Sequence, residues 1–129
     1  MQYFLVAAGS AVGGLARFWI SGAIANRVGQ TFPWGTILVN ISGSFLIGFL
    51  AALISTEGRL GPKHHQFINQ FLMIGVCGGY TTFSSFSLQT LTLVQGGEWL
   101  QAGANVGVSV VACLIGVWLG HVAGQLVNR

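Results

Sequence analysis

Four apolar stretches, separated by three short polar breaks, decide what this chain can become. They read as residues 2–25, 34–54, 67–94 and 100–126. A helix needs about 20 mostly apolar residues to cross the hydrocarbon core of a bilayer. The breaks fit that reading. Residues 26–33 are polar and end in Pro33, residues 56–66 hold Glu57, Arg59, Lys63, His64 and His65, and residues 95–98 contain Gly96-Gly97. Strands are not expected, because the runs are long, lack alternation, and a barrel takes at least about eight strands. The expected fold class is an all-α membrane protein: four transmembrane helices in one domain over residues 1–129.

Charge supports the same conclusion. The chain has 129 residues with Lys+Arg 5 and Asp+Glu 2. A soluble domain of this size carries about a quarter charged residues, or about 30. Hydrophobic residues make up 53% and mean hydropathy is +0.73, which also excludes disorder. Cys77 and Cys113 sit inside apolar runs and read as small buried hydrophobes, not a disulfide framework. The net charge of +3 forms no basic run, so no nucleic-acid partner is expected. The first span has no basic leader segment and is interrupted by Arg17, so it is not a signal peptide. Four spans put both termini and the second loop on one side, with Arg59, Lys63 and Arg129 against Arg27. Arg17, toward the Arg27 end, weakens this bias further. A weak bias permits insertion both ways, and hence an antiparallel homodimer.

Glycine numbers 20, where an average chain of this length has about nine. Several recur at a spacing of four: Gly9 and Gly13, Gly75 and Gly79, Gly103 and Gly107, and Gly116, Gly120 and Gly124. Small residues at that spacing let helix backbones approach closely in lipid. Four thin helices bury little alone, so an oligomer is expected.

Polar groups inside spans are the informative ones. No Asp or Glu lies in any span. A proton-coupled cation carrier usually needs such a carboxylate. Arg17 is a fixed cation that snorkels to the interface, supplies a field favouring anions, or does both. Asn40 and Ser44 lie four apart in the second span, and Asn105 and Ser109 repeat the pattern in the fourth. A mid-span Asn commonly bonds a neighbouring helix. His121 reads as structural or solvated. Tyr3, Trp19, Trp34, Trp99 and Trp118 suit interfacial belts.

The strongest signal is Gly75-Val76-Cys77-Gly78-Gly79-Tyr80-Thr81-Thr82-Phe83-Ser84-Ser85-Phe86-Ser87 in the third span. The pair Gly78-Gly79 invites a break, and Ser and Thr side chains can satisfy the freed backbone. Broken membrane helices expose carbonyls at one end and N–H groups at the other, which transporters use to hold ions. Phe83 and Phe86, three apart, share a face beside the hydroxyls of Ser84 and Ser85. Ring edges are positive and can approach an anion, whereas ring faces suit a cation. Ordinary apolar packing is the common fate of such a pair. No nucleophile–base pair, metal spacing or phosphate loop suggests an enzyme. A small four-span multidrug exporter would need an embedded Glu in the first span, where Arg17 stands. A non-transporting membrane scaffold would need neither the glycine pair nor the Phe pair.

These residues resemble the Fluc (CrcB) family of fluoride channels over the whole length. The likeness rests on Gly9-x-x-x-Gly13-Gly14-x-x-Arg17-Phe18, on Gly35-Thr36-x-x-Val39-Asn40-x-x-Gly43-Ser44-Phe45, and above all on Gly78-Gly79-Tyr80-Thr81-Thr82-Phe83-Ser84-Ser85-Phe86. The resemblance implies passive export of cytoplasmic fluoride across the bacterial cytoplasmic (inner) membrane by a multi-pass, antiparallel, dual-topology homodimer with a broken third helix. It implies that Phe83 and Phe86 line the pathways by their edges and that Asn40 donates near them. Ser84, Ser85 and Ser109 would continue a polar track, and Arg17 would supply field at a vestibule. It also implies a central structural sodium ion at the dimer interface, held by the carbonyls of Gly78 and Thr81. The sequence departs from the family's pattern at Gln89, where many relatives carry Glu, at Asn105, in the place of a Tyr, and at Cys113, in the place of a Ser.

Overall fold

The computed structural model describes residues 1–55 and 60–129. Glu57 and Arg59 of the second polar break, with their weight in the orientation argument, lie outside the described residues. Helix α1 spans Gln2–Val28, α2 Trp34–Ile54, α3 Pro62–Phe67, α4 Gly78–Tyr80, α5 Phe83–Gln95 and α6 Trp99–Val127. Between α3 and α4 the chain winds as a π-helix over Ile68–Cys77, bonding five residues back. Among the described residues there is no strand. Among the described residues, four helical spans are long and apolar enough to cross a membrane: Gln2–Val28, Trp34–Ile54, Pro62–Gln95 and Trp99–Val127.

Backbone chemistry sets the ends more than polarity does. Helix α1 runs through the polar Asn26-Arg27 and stops at Gly29, which turns at φ 90, a conformation glycine adopts freely. The third span begins not at Phe67 but at Pro62, a residue suited to a helix's first turn, where its missing N–H costs nothing. Helix α5 closes at Gly96, and Gly97 turns at φ 76 so that the Glu98 N–H reaches the Leu93 carbonyl at 2.8 Å.

Glycine decides how the helices pair. On α6, Gly120 faces the Phe45 carbonyl, Gly116 faces Ile41, and Gly124 faces Phe49 and Ala52, while Gly48 of α2 meets the Val117 carbonyl. On α1, Gly9 lies against Phe71 and Gly75, and Gly13 against Val76 and Tyr80. A Cβ at Gly9, Gly13, Gly48 or Gly120 would land on backbone. Gly103 and Gly107 do not share in this: each looks into open space. Their spacing implied close packing, but α6 turns that face away from the rest of the chain. Within the chain, only 11–33% of each span is buried. The outer faces are therefore apolar surface for lipid or another protein.

Candidate functional site

The third span does break in mid-course, but two residues later than the glycine pair suggests. Gly78 and Gly79 are helical, and Gly79 serves instead to bring the chain against Ser10 of α1. The extended residues are Thr81 (φ −80, ψ 156) and Thr82 (φ −150, ψ 119). Thr81 turns its hydroxyl back to the Cys77 carbonyl at 2.9 Å. Thr82 caps α5 by accepting the Ser85 N–H on Oγ1 at 3.2 Å, the usual role of a threonine at a helix start. Gly43 of α2 allows the close approach, since a Cβ there would strike the Thr81 methyl group.

Asn40 holds the break open. Its Nδ2 donates to the Thr82 carbonyl at 3.0 Å, and its Oδ1 accepts the Thr82 N–H at 2.7 Å. One side chain from α2 thus replaces both backbone bonds that a continuous helix would have given Thr82. The Thr82 N–H, turned to Asn40, no longer serves the Gly78 carbonyl that a continuous helix would give it. On the other side of the break, the first N–H groups of α5 end a helix dipole whose positive pole lies at Phe83.

Arg17 reaches the break from α1. Its Nη1 donates to the Thr81 carbonyl at 3.4 Å. It lines a cavity of about 310 Å³ together with Ser21, Thr36, Thr82, Ser85 and Gln89, beside Gly14 and Phe18. This lining contains one cation, several hydroxyls and no acid. Thr82 donates its own hydroxyl to Ser85 Oγ at 3.2 Å, so the Ser85 proton remains to donate elsewhere. Gln89 contributes a neutral amide whose Oε1 is buried with no hydrogen-bond partner among the described residues. A second cavity, about 270 Å³, lies beyond Thr82 and is lined by Asn40, Ser44, Thr81, Phe83, Cys77 and Cys113 among others. The Phe83 and Phe86 rings lie 5.2 Å apart, tilted by 51°, and Phe83 is 77% exposed in the single chain. A tilted pair presents edge as well as face.

The model for CrcB-like protein, Camphor Resistance (CrcB), matches residues 4–121. The chain belongs to the CrcB family. Its relatives include the fluoride-specific ion channel FluC of Rhodospirillum rubrum, 59% identical over 100% of this chain and 98% of the relative. Another is the fluoride-specific ion channel FluC of Methylocella silvestris, 54% identical over 100% of this chain and 97% of the relative. A third, of the same name from Paramagnetospirillum magneticum, is 53% identical over 100% of this chain and 99% of the relative.

In this CrcB chain the residues singled out from sequence fall into two groups. Arg17, Asn40, Gly78, Thr81, Phe83, Ser84 and Ser85 gather at the break; Ser84 is exposed, with its hydroxyl 3.2 Å from that of Thr82. Ser109 stands apart. It is 6% exposed and donates to Asn105 Oδ1 at 3.2 Å, within α6. Phe86 belongs to both groups, by its ring to the first and by its carbonyl to the second. Thr36, Ser21, Gln89 and Thr90 did not stand out as site residues from sequence. Single hydroxyls and amides in a span carry no mark of which cavity they face. As donors for the sodium that the CrcB resemblance implies, the carbonyls of Gly78 and Thr81 are chemically apt: hard oxygens, the first relieved of the Thr82 N–H. Arg17 already donates to the second.

Proposed function

We propose that this protein is a fluoride-specific channel that lets cytoplasmic fluoride leave passively down its electrochemical gradient. The observation that carries the reading is the 59% identity, over the full chain, to a protein named for that activity. The site's chemistry supports it. Fluoride is small and strongly hydrated, so a path must replace water with donors. Ser85 and the other hydroxyls beside Arg17 can do so, and Phe83 and Phe86 add positive ring edges. The positive charge of Arg17 raises the local anion concentration. Each anion leaving an inside-negative cell gains about 2.3 kcal/mol per 100 mV, so no coupling ion and no embedded carboxylate are required.

The working unit in this reading is an antiparallel, dual-topology homodimer in the bacterial inner membrane. The large apolar outer faces and the open space at Gly103 and Gly107 are compatible with a partner subunit. A single cysteine label reachable from one side only would contradict dual topology. A structural sodium ion would sit on the Gly78 and Thr81 carbonyls, supplying positive charge between half-helix ends. Unchanged flux after exhaustive replacement of sodium by an organic cation would count against it. The channel reading itself is tested by fluoride efflux from liposomes holding the purified protein, followed with a fluoride electrode against chloride controls. Fluoride efflux without chloride efflux is expected. No fluoride efflux, or equal chloride efflux, removes the proposal.

A further inference from the structure

We infer that Asn105 is a positioning residue for the pathway: through Thr90 it forms, with Asn40, a pair of asparagine anchors that hold the half-helix carrying Phe83 and Phe86. The inference rests on the channel reading above. Helix α5 has only 13 residues, too short to be stable alone. It is also lightly packed. Phe83, Leu88 and Leu91 are 77%, 64% and 50% exposed, and Leu93 is its buried residue. Apolar packing within the chain is thus a weak means of fixing where the two rings stand, and within the chain polar contacts do more of it.

There are two such contacts. Asn40 grips the backbone of Thr82, immediately before Phe83. Asn105 lies at the other end of the ring pair and is 1% exposed. Its Nδ2 donates to Thr90 Oγ1 at 2.9 Å, and Thr90 Oγ1 in turn donates to the Phe86 carbonyl at 2.8 Å. The order of protons is forced. The Thr90 hydroxyl proton is committed to Phe86, so Oγ1 must accept, and only an N–H or O–H at position 105 can serve it. The Asn105 Oδ1 is occupied by the Ser109 hydroxyl, which fixes the amide's orientation. Among the described residues this is the one side-chain hydrogen bond joining α5 to α6. A shift of α6 is therefore passed to the backbone of Phe86. Asn105 acts through Thr90 and lines neither cavity at the break. Asn40 and Asn105 thus serve one purpose, from α2 and α6.

The test compares wild type, Asn105→Leu, Thr90→Val, Thr90→Ser and the Asn105→Leu/Thr90→Val double variant in liposomes. Fluoride efflux rate and the fluoride-to-chloride permeability ratio are read for each. Asn105→Leu and Thr90→Val should each lower the fluoride rate by about tenfold and lower the ratio. Thr90→Ser, which keeps the hydroxyl, should restore both. The double variant should be no worse than the more impaired single, because both remove one connection. Thr90→Val is nearly isosteric, so the test survives if Asn105→Leu does not fold. The inference is overturned if Thr90→Val matches wild type in rate and ratio, if Thr90→Ser is as impaired as Thr90→Val, or if the two effects multiply. A wild type that passes no fluoride overturns the channel reading and this inference with it; a conducting wild type with an unaffected Thr90→Val overturns this inference alone.

Discussion

Replacing Asn40 by leucine removes the donor and the acceptor that hold Thr82 outside the helix. Thr82 is 8% exposed, so water is poorly placed to take over either group. Leaving one buried polar group unpaired costs about 1–3 kcal/mol, which sets a range of about 2–6 kcal/mol for two. Side-chain hydrogen bonds inside membrane proteins average only about 0.6 kcal/mol and reach about 1.7. That lower scale wins where the unfolded state finds other partners, so the expected loss for two bonds is about 1–3 kcal/mol. The broken backbone has a further option, to re-form helix through Thr81 and Thr82. That would bond the Gly78 carbonyl and rotate Phe83 away from the break. Asn40→Leu is therefore expected to lower the thermal midpoint in detergent and to cut fluoride flux by more than about tenfold. Asn40→Asp keeps an acceptor for the Thr82 N–H but loses the donor to its carbonyl. It should recover part of the stability while flux stays low, since it brings acid to an anion path. The reasoning is refuted if Asn40→Leu leaves both midpoint and flux at wild-type values.

Phe83→Ile and Phe86→Ile should each reduce fluoride flux strongly while the protein still elutes as wild type on size exclusion; full flux from both would remove the ring edges from the account. Gly120→Ala would set a Cβ on the Phe45 carbonyl and should cost several kcal/mol of stability, as overpacking does, whereas Gly103→Ala meets open space and should leave the subunit folded; equal thermal midpoints for the two would contradict the packing scheme. Arg17→Gln removes the one charge in the lining of the larger polar cavity at the break. A unit charge about 8 Å from an anion, at an effective dielectric near 20, is worth about 2 kcal/mol, so flux should fall by about 30-fold at low salt and by less at high salt.

The four spans were legible because the bilayer demands about 20 apolar residues and tolerates few charges, a requirement written directly into composition. The existence of a break in the third span was legible from its glycine pair and run of hydroxyls, and a mid-span Asn such as Asn40 commonly bonds a neighbouring helix, because lipid makes polar groups costly. The break's position was not. Gly78-Gly79 looks like a hinge, yet Gly79 is spent on contact with Ser10, and the extension falls on two threonines that gain backbone partners from Asn40 and Ser85. The π-helix over Ile68–Cys77 has no side-chain signature, because bonding five residues back is a choice of backbone winding. Arg17 left two readings open from sequence, and only the packing of α1 on the third span directs it to Thr81. The Asn105–Thr90 bond needed the relative rotation of α5 and α6 about a tight turn, which no local pattern specifies.

The central claim is passive, electrogenic and selective movement of fluoride. Liposomes containing the purified protein can be loaded with potassium fluoride and diluted into fluoride-free buffer at equal pH on both sides. Adding a potassium ionophore then allows charge to be compensated. Fluoride should stay inside until the ionophore is added and then leave rapidly, with no pH gradient required and no release from matched chloride-loaded liposomes. Fluoride release without the ionophore, release that depends on an imposed proton gradient, or equal release of chloride would contradict it.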